Sequence, residues 1–179
     1  MALFSRSRPP LDTDMAGRTC LVTGATDGHG RALAKLLVER GAEVVVHARS
    51  EEKAHRVCEE IAAQTGAKKP EILLADLSRS SDVDSAIDQY RASGRPLHVL
   101  VNNAGLVGLD RRTNDAGQEL TFAVNYLALF RLTMGLLPVL RASGAARVVN
   151  ISSDTYRIAK LDFDDLMLEC GYNLSLIHI

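Results

Sequence analysis

From residue 17 onward, short apolar runs alternate with longer stretches whose apolar positions recur every three to four residues. The runs "RTCLVTG" (18–24), "EVVVHA" (43–48), "EILLAD" (71–76), "LHVLVN" (97–102) and "ARVVNIS" (146–152) predict five strands. "EVVVHA" has no polar alternation, as expected of a strand buried on both faces. Between the strands, "GRALAKLLVERG" (30–41) reads as a helix closed by a glycine, and "SEEKAHRVCEEIAAQTG" (50–66) as a helix capped at Ser50 with acids in its first turn. Two further helices are predicted at "SDVDSAIDQYRASG" (81–94) and over roughly 116–142. Strand-helix alternation with right-handed crossovers implies an α/β fold built on a parallel, doubly wound sheet. With no internal repeat and no linker, residues 17–173 read as one domain, preceded by a flexible tail over 1–16.

Bulk composition narrows the classes. A chain of 179 residues with net charge -1 has nothing that favours nucleic acid or an anionic membrane as partner. The first residues contain no apolar run long enough for a signal peptide or a membrane span. Cys20, Cys58 and Cys170 are widely spaced and odd in number, which fits a reducing, cytoplasmic setting and no disulfide framework. The histidines show no metal-ligand spacing, so no metal site is expected.

The chemistry concentrates at the predicted strand ends. In "TGATDGHG" (23–30), Gly24, Gly28 and Gly30 lie between the first strand and the first helix. Backbone without Cβ atoms can approach a pyrophosphate there, and the helix N-terminus holds its charge. No Gly-Lys-Ser/Thr follows, which excludes a Walker loop. Nineteen residues after Gly30, where an NAD enzyme would carry an acid for the ribose 2′-hydroxyl, stands Arg49. A guanidinium suits a 2′-phosphate, so NADP(H) is favoured and NAD(H) stays open as the alternative. Asp76, followed by Leu77, is placed either to accept from an adenine amino group or to cap the next helix. "NNAG" (102–105) ends the fourth strand at the carboxyl edge, where open α/β sheets bind ligands.

Together, Thr23-Gly24-x-x-x-Gly28-x-Gly30, Asp76-Leu77, Asn102-Asn103-Ala104-Gly105 and the serines after the fifth strand resemble the short-chain dehydrogenase/reductase family. The resemblance covers roughly residues 17–153, and within the family the chain looks most like the retinol-dehydrogenase-like reductases. It implies a Rossmann-type sheet in the order 3-2-1-4-5, here lacking the family's last strands. It implies cofactor binding through Thr23, Gly24, Gly28, His29, Gly30, Arg49, Asp76, Leu77, Asn103, Ala104 and Gly105, His29 replacing the usual apolar residue. It further implies hydride transfer between nicotinamide and a small carbonyl or alcohol substrate. In that chemistry Ser153 orients the substrate oxygen and Asn125 holds a water in a proton relay. Family members are usually homo-oligomers.

One part of the pattern does not fit. Tyr156 and Lys160 have the family's Tyr-x-x-x-Lys letters, yet Tyr156 follows Ser153 by three residues, a reach of only ~10 Å. In the family a dozen or so residues separate the two, and the pair then opens a new helix. Tyr156 and Lys160 are therefore expected to be a loop decoy, with "LDFDDLMLECGYN" (161–173) forming a short loop helix. The chain reads as truncated before the working pair and the substrate loop. Its ending "LSLIHI" (174–179) reads as non-native, an unusual apolar strand being the alternative. On this reading the chain is a dinucleotide-binding fragment of an oxidoreductase.

Overall fold

A computed structural model describes residues 13–157 and 162–172, apart from the side chains of Thr155 and Tyr156. Five parallel strands, β1 (Thr19–Val22), β2 (Glu43–Ala48), β3 (Glu71–Leu74), β4 (Val99–Asn102) and β5 (Arg147–Asn150), form one sheet in the order β3-β2-β1-β4-β5. The helices are α1 (Gly28–Glu39), α2 (Glu51–Thr65), α3 (Ser80–Ala92) and α4 (Leu120–Ala142). The sheet is of the expected Rossmann type and order.

The period-two geometry of a strand sends neighbouring side chains to opposite faces, and helices cover both. Cys20, Val22, Val44 and Val46 pack on one face with Ala34 and Val38 of α1 and Val57, Cys58 and Ile61 of α2. Leu21, Val45, Leu73 and Leu100 pack on the other with Val83 and Ile87 of α3 and Leu132, Leu136 and Leu140 of α4. Burial on both sides is why these strands read as unbroken apolar runs. Among the described residues α4 alone is long and apolar enough to cross a bilayer, and it packs against α3 and the sheet. β5 is an outer strand, and all its residues are exposed.

Local chemistry moved several boundaries. α1 starts at Gly28, two residues earlier than expected, because the Asp27 carboxylate accepts the Gly28 N–H at 2.7 Å. Ser50 caps α2 as predicted, accepting from Lys53 N, and Gly66 closes the helix in the left-handed region. The tail begins to join the domain before residue 17: Met15 N–H donates to the Arg40 carbonyl at 2.8 Å, and the Met15 side chain packs on the core. Residues 1–12 lie outside the described part. The expected loop helix after residue 161 is not formed by the described residues 162–172, which run as turns and bends. There the Asp165 carboxylate takes the N–H groups of Glu169 and Cys170 at 2.7 and 2.9 Å, and these bonds substitute for helical pairing. That segment docks on the loop before α4 through Arg111 Nε to the Met167 carbonyl and the Tyr172 hydroxyl to the Gly108 carbonyl.

Candidate functional site

In a doubly wound sheet the crevice opens where the strand order reverses, here between β1 and β4. Three parts of the chain meet at that edge: the glycine turn after β1, the end of β2, and the loop after β4. Gly30 sits where a Cβ would fall on the Gly24 carbonyl oxygen and the Asn103 side-chain nitrogen, so its lack of a side chain is a packing requirement. Gly28 is different. It holds φ +48, and nothing lies within 4 Å of its missing Cβ, which leaves open space over the α1 N-terminus. That space is a cradle suited to an anion's close approach.

Thr23 lies behind the cradle, fully buried. Its hydroxyl donates to the Val101 carbonyl at 3.3 Å and accepts the N–H groups of Asn103 and Ala104, each at 2.9 Å. The Asn103 amide answers by donating to the Thr23 carbonyl at 2.9 Å. Thr23 and Asn103 thus bind the ends of β1 and β4 to one another. Asn102 does the same on the other side, donating to Thr133 of α4 and to Asn150 of β5 at 2.9 and 2.7 Å.

Around this frame opens a cleft of about 740 Å³. Its lining includes Gly24, Gly28, His29, Gly30, Arg49, Asp76, Leu77, Asn103, Ala104 and Gly105 from the expected set. His47, Ser50 and Lys53 line it as well. Sequence reasoning missed these three as site residues; from the sequence, Lys53 in the first turn of α2 reads as a solvated surface charge. Arg49, Ser50 and Lys53 together offer two cations and a hydroxyl at the β2 end, with the Asp76 carboxylate near Arg49.

Asp76 resolves one of the open alternatives. Its Oδ1 accepts from both N and Oγ of Ser78, at 2.9 and 2.7 Å, whereas the α3 N-cap position is Arg79, which makes no side-chain capping bond. Asp76 therefore shapes a turn and caps no helix. Burial alone would push its carboxyl up. The Ser78 bonds and the nearby Arg49 and Arg79 cations outweigh it and hold the group below its ordinary value.

Neither Asn125 nor Ser153 belongs to the lining of this cleft. Asn125 lies in a π-helical stretch of α4, Ala123–Ala128, and exchanges two 2.9 Å bonds with the Leu106 backbone, as donor to its carbonyl and acceptor of its N–H. Local widening of this sort is common at functional sites. Asn125 thereby fixes the loop that carries Ala104 and Gly105. Ser153 is half-buried just past β5, and a single 3₁₀ turn, Asp154–Arg157, follows at once. Tyr156 falls within that turn, while its side chain and Lys160 lie outside the described residues.

The sequence matches the family model for short chain dehydrogenases over residues 18–160. It is 40% identical over 163 residues to the polyprenol dehydrogenase of Mus musculus, covering 89% of this chain and 49% of that protein. Retinol dehydrogenase 11 of Homo sapiens is 35% identical over 164 residues, covering 92% of this chain and 52% of that protein. The chain spans about half the length of the curated relatives it matches. Among solved structures, a short chain dehydrogenase of Escherichia coli CFT073 complexed with NADPH superposes with TM-score 0.72 at 33% identity, over 83% of this chain and 63% of that one. A metagenomic short-chain oxidoreductase in complex with NADP superposes with TM-score 0.69 at 33% identity, over 79% and 64%.

Proposed function

The chain belongs to the short chain dehydrogenase family, and from that premise we propose that its cleft holds NADP(H) in preference to NAD(H). One observation carries this reading: the open cradle at Gly28 shares a single cleft with Arg49, Ser50 and Lys53. The N–H groups at the start of α1 would take the pyrophosphate. Arg49, with Lys53 and Ser50 beside it, would take a 2′-phosphate where an NAD enzyme needs an acid. Asp76, Leu77, Ala104 and Gly105 would border the adenosine half, with Thr23 and Asn103 as positioning residues behind them. The NADPH and NADP bound to the two structural relatives support the choice.

Bound in this way, the nicotinamide supplies hydride exchange with a carbonyl or alcohol carbon. For the whole protein we infer an oxidoreductase of an apolar alcohol or its carbonyl, in line with the polyprenol and retinol named for its relatives. Ser153 would orient the substrate oxygen. Asn125, tied to Leu106 at both ends of its amide, would act chiefly by holding the cofactor loop. Tyr156 and Lys160 are not the acid–base pair in this reading, because Tyr156 follows Ser153 by only three residues, a reach of ~10 Å. The chain then binds dinucleotide without reducing carbonyls.

Titration of the chain with NADPH and NADH, followed by nicotinamide fluorescence, tests the first part. NADPH is expected to bind more tightly, and Arg49→Gln to cost about tenfold on NADPH alone, the worth of one charge-assisted bond. Equal binding of both cofactors, untouched by Arg49→Gln, would remove the NADP preference. NADPH oxidation with a panel of aldehydes and ketones tests the second part. No turnover is expected, and turnover abolished by Tyr156→Phe would restore that residue as the acid.

A further inference from the structure

The turn before α4 reaches back to the adenosine end of the cleft through one side chain. That turn, residues 114–118, is closed by its own bonds, with the Asn114 N–H donating to the Gln118 carbonyl at 2.9 Å. The Asn114 amide is saturated. Its oxygen accepts the N–H groups of Ala116 and Gln118, each at 3.0 Å, and its nitrogen donates to Gln118 Oε1 at 3.0 Å. The remaining proton leaves the turn and goes to the Ser78 carbonyl at 2.9 Å, 36 positions earlier in the chain. On the other side, Thr113 and Glu119 form an antiparallel bridge, and the Glu119 carboxylate accepts the Thr121 and Phe122 N–H groups. The turn is thereby fixed to the start of α4, and Asn114 fastens it to the loop after β3.

Ser78 is the residue that holds Asp76. It gives both its N–H and its hydroxyl to Asp76 Oδ1, at 2.9 and 2.7 Å. Asp76 Oδ2 meets no donor among the described residues, and the half-buried side chain lines the cleft beside Leu77. One carboxylate oxygen is thus used for orientation, and the other is left to a ligand. A carboxylate attracts the exocyclic amino group of adenine and repels a carbonyl oxygen standing in its place. We propose that Asn114 is a positioning residue for adenine recognition: by holding the Ser78 carbonyl, it fixes the loop that aims the Asp76 carboxylate at the amino group of bound NADP(H). The proposal rests on the dinucleotide reading above and deepens it, naming what sets adenine apart from another purine. Asn114 lies in the groove between α3 and α4 and does not line the cleft, whereas Ser78 lines both. Its effect therefore passes through Ser78. The other link between the two loops, Arg79 to Asp115 at 3.5 Å, is exposed and contributes little.

Isothermal titration of the full chain with NADPH and with its hypoxanthine analogue, in which a carbonyl oxygen replaces the adenine amino group, tests it. The two ligands carry the same phosphates, so the ratio of their affinities reports the purine alone. Asn114→Asp keeps both acceptor bonds inside the turn and removes the donor to Ser78. The parent is expected to bind NADPH about tenfold more tightly than the analogue, the worth of one charge-assisted hydrogen bond. Asn114→Asp is expected to bring that ratio within about twofold by weakening NADPH. An unchanged ratio would overturn the proposal, and so would an equal loss of both ligands, which a merely structural role would give. A parent that binds both ligands equally would show that Asp76 does not read the amino group, which overturns the proposal and leaves the dinucleotide reading intact. Failure of the parent to bind either ligand would instead sink the dinucleotide reading and this inference with it. Should Asn114→Asp not fold, Asn114→Ala cuts the same tie without adding a charge, and its ratio decides in the same way.

Discussion

Replacing Thr23 by valine removes one hydroxyl and keeps the side chain's shape. That hydroxyl is saturated, with one bond given to Val101 and two accepted from Asn103 and Ala104. The three losses are unequal. Asn103 N–H keeps a second acceptor, the Val101 carbonyl at 3.1 Å, and the hydroxyl's own bond to Val101 is long at 3.3 Å. The Ala104 N–H is the group left without its partner. An orphaned buried donor costs about 1–3 kcal/mol, and Ala104 is only half-buried, which places it in the lower part of that range. Adding a fraction for the weakened Asn103 bond gives about 2 kcal/mol. For a chain of this size that is a fall in Tm of about 4–8 °C. Thr23→Ser is the control, since it keeps every bond and gives up one buried methyl, about 1 kcal/mol. Far-UV circular dichroism melts of the three proteins decide the matter. If Thr23→Val melts at or above Thr23→Ser, methyl packing and not the hydroxyl joins β1 to β4, and the reasoning fails.

The glycine turn should divide into two roles. Gly30→Ala is expected to destabilise by about 2–3 kcal/mol, because its Cβ meets backbone and the Asn103 amide; a melt within half a kcal/mol of the parent would refute the packing role. Gly28→Ala fits the fold at a cost of about 1 kcal/mol for its positive φ, yet fills the cradle, so NADPH affinity should fall more than tenfold by fluorescence titration while the melt moves little. His47 predicts a pH effect. Its folded pKa of about 4 lies below the ordinary 6.5, so the unfolded chain binds the extra proton between those values. Stability is full above pH 6.5 and declines as pH falls toward 4, by about 2 kcal/mol at pH 5. Melts of His47→Asn should show a flatter slope over that window, and an identical slope would assign the loss to other groups. Asn102→Ala should cost about 2 kcal/mol by releasing β5 and α4 from β4. Hydrogen exchange should then quicken in β5 more than in β1, and equal quickening would argue against the tie.

Strand and helix periods, the two helix-ending glycines and the Ser50 cap are local signals. They sufficed for the element order and for a parallel sheet with helices on both faces, because each depends on residues within a turn or two of one another. The family motifs placed about half of the cleft lining in the same way: Gly24, Arg49 and Asp76 stand just past strand ends, and strand ends are where open α/β sheets bind. What local pattern could not carry is who meets whom across the edge. Thr23 and Ala104 are 81 positions apart, and Gly24 and His47 are 23 apart. No periodicity records such pairs. Tertiary structure alone therefore bonded Thr23 to the loop after β4, made Gly30 a packing residue and Gly28 the open one, set the exposed Lys53 at the edge of the cleft, and buried His47 against the Gly24 backbone. The two bonds between the Asn125 amide and the Leu106 backbone belong to the same class, since the residues are 19 positions apart.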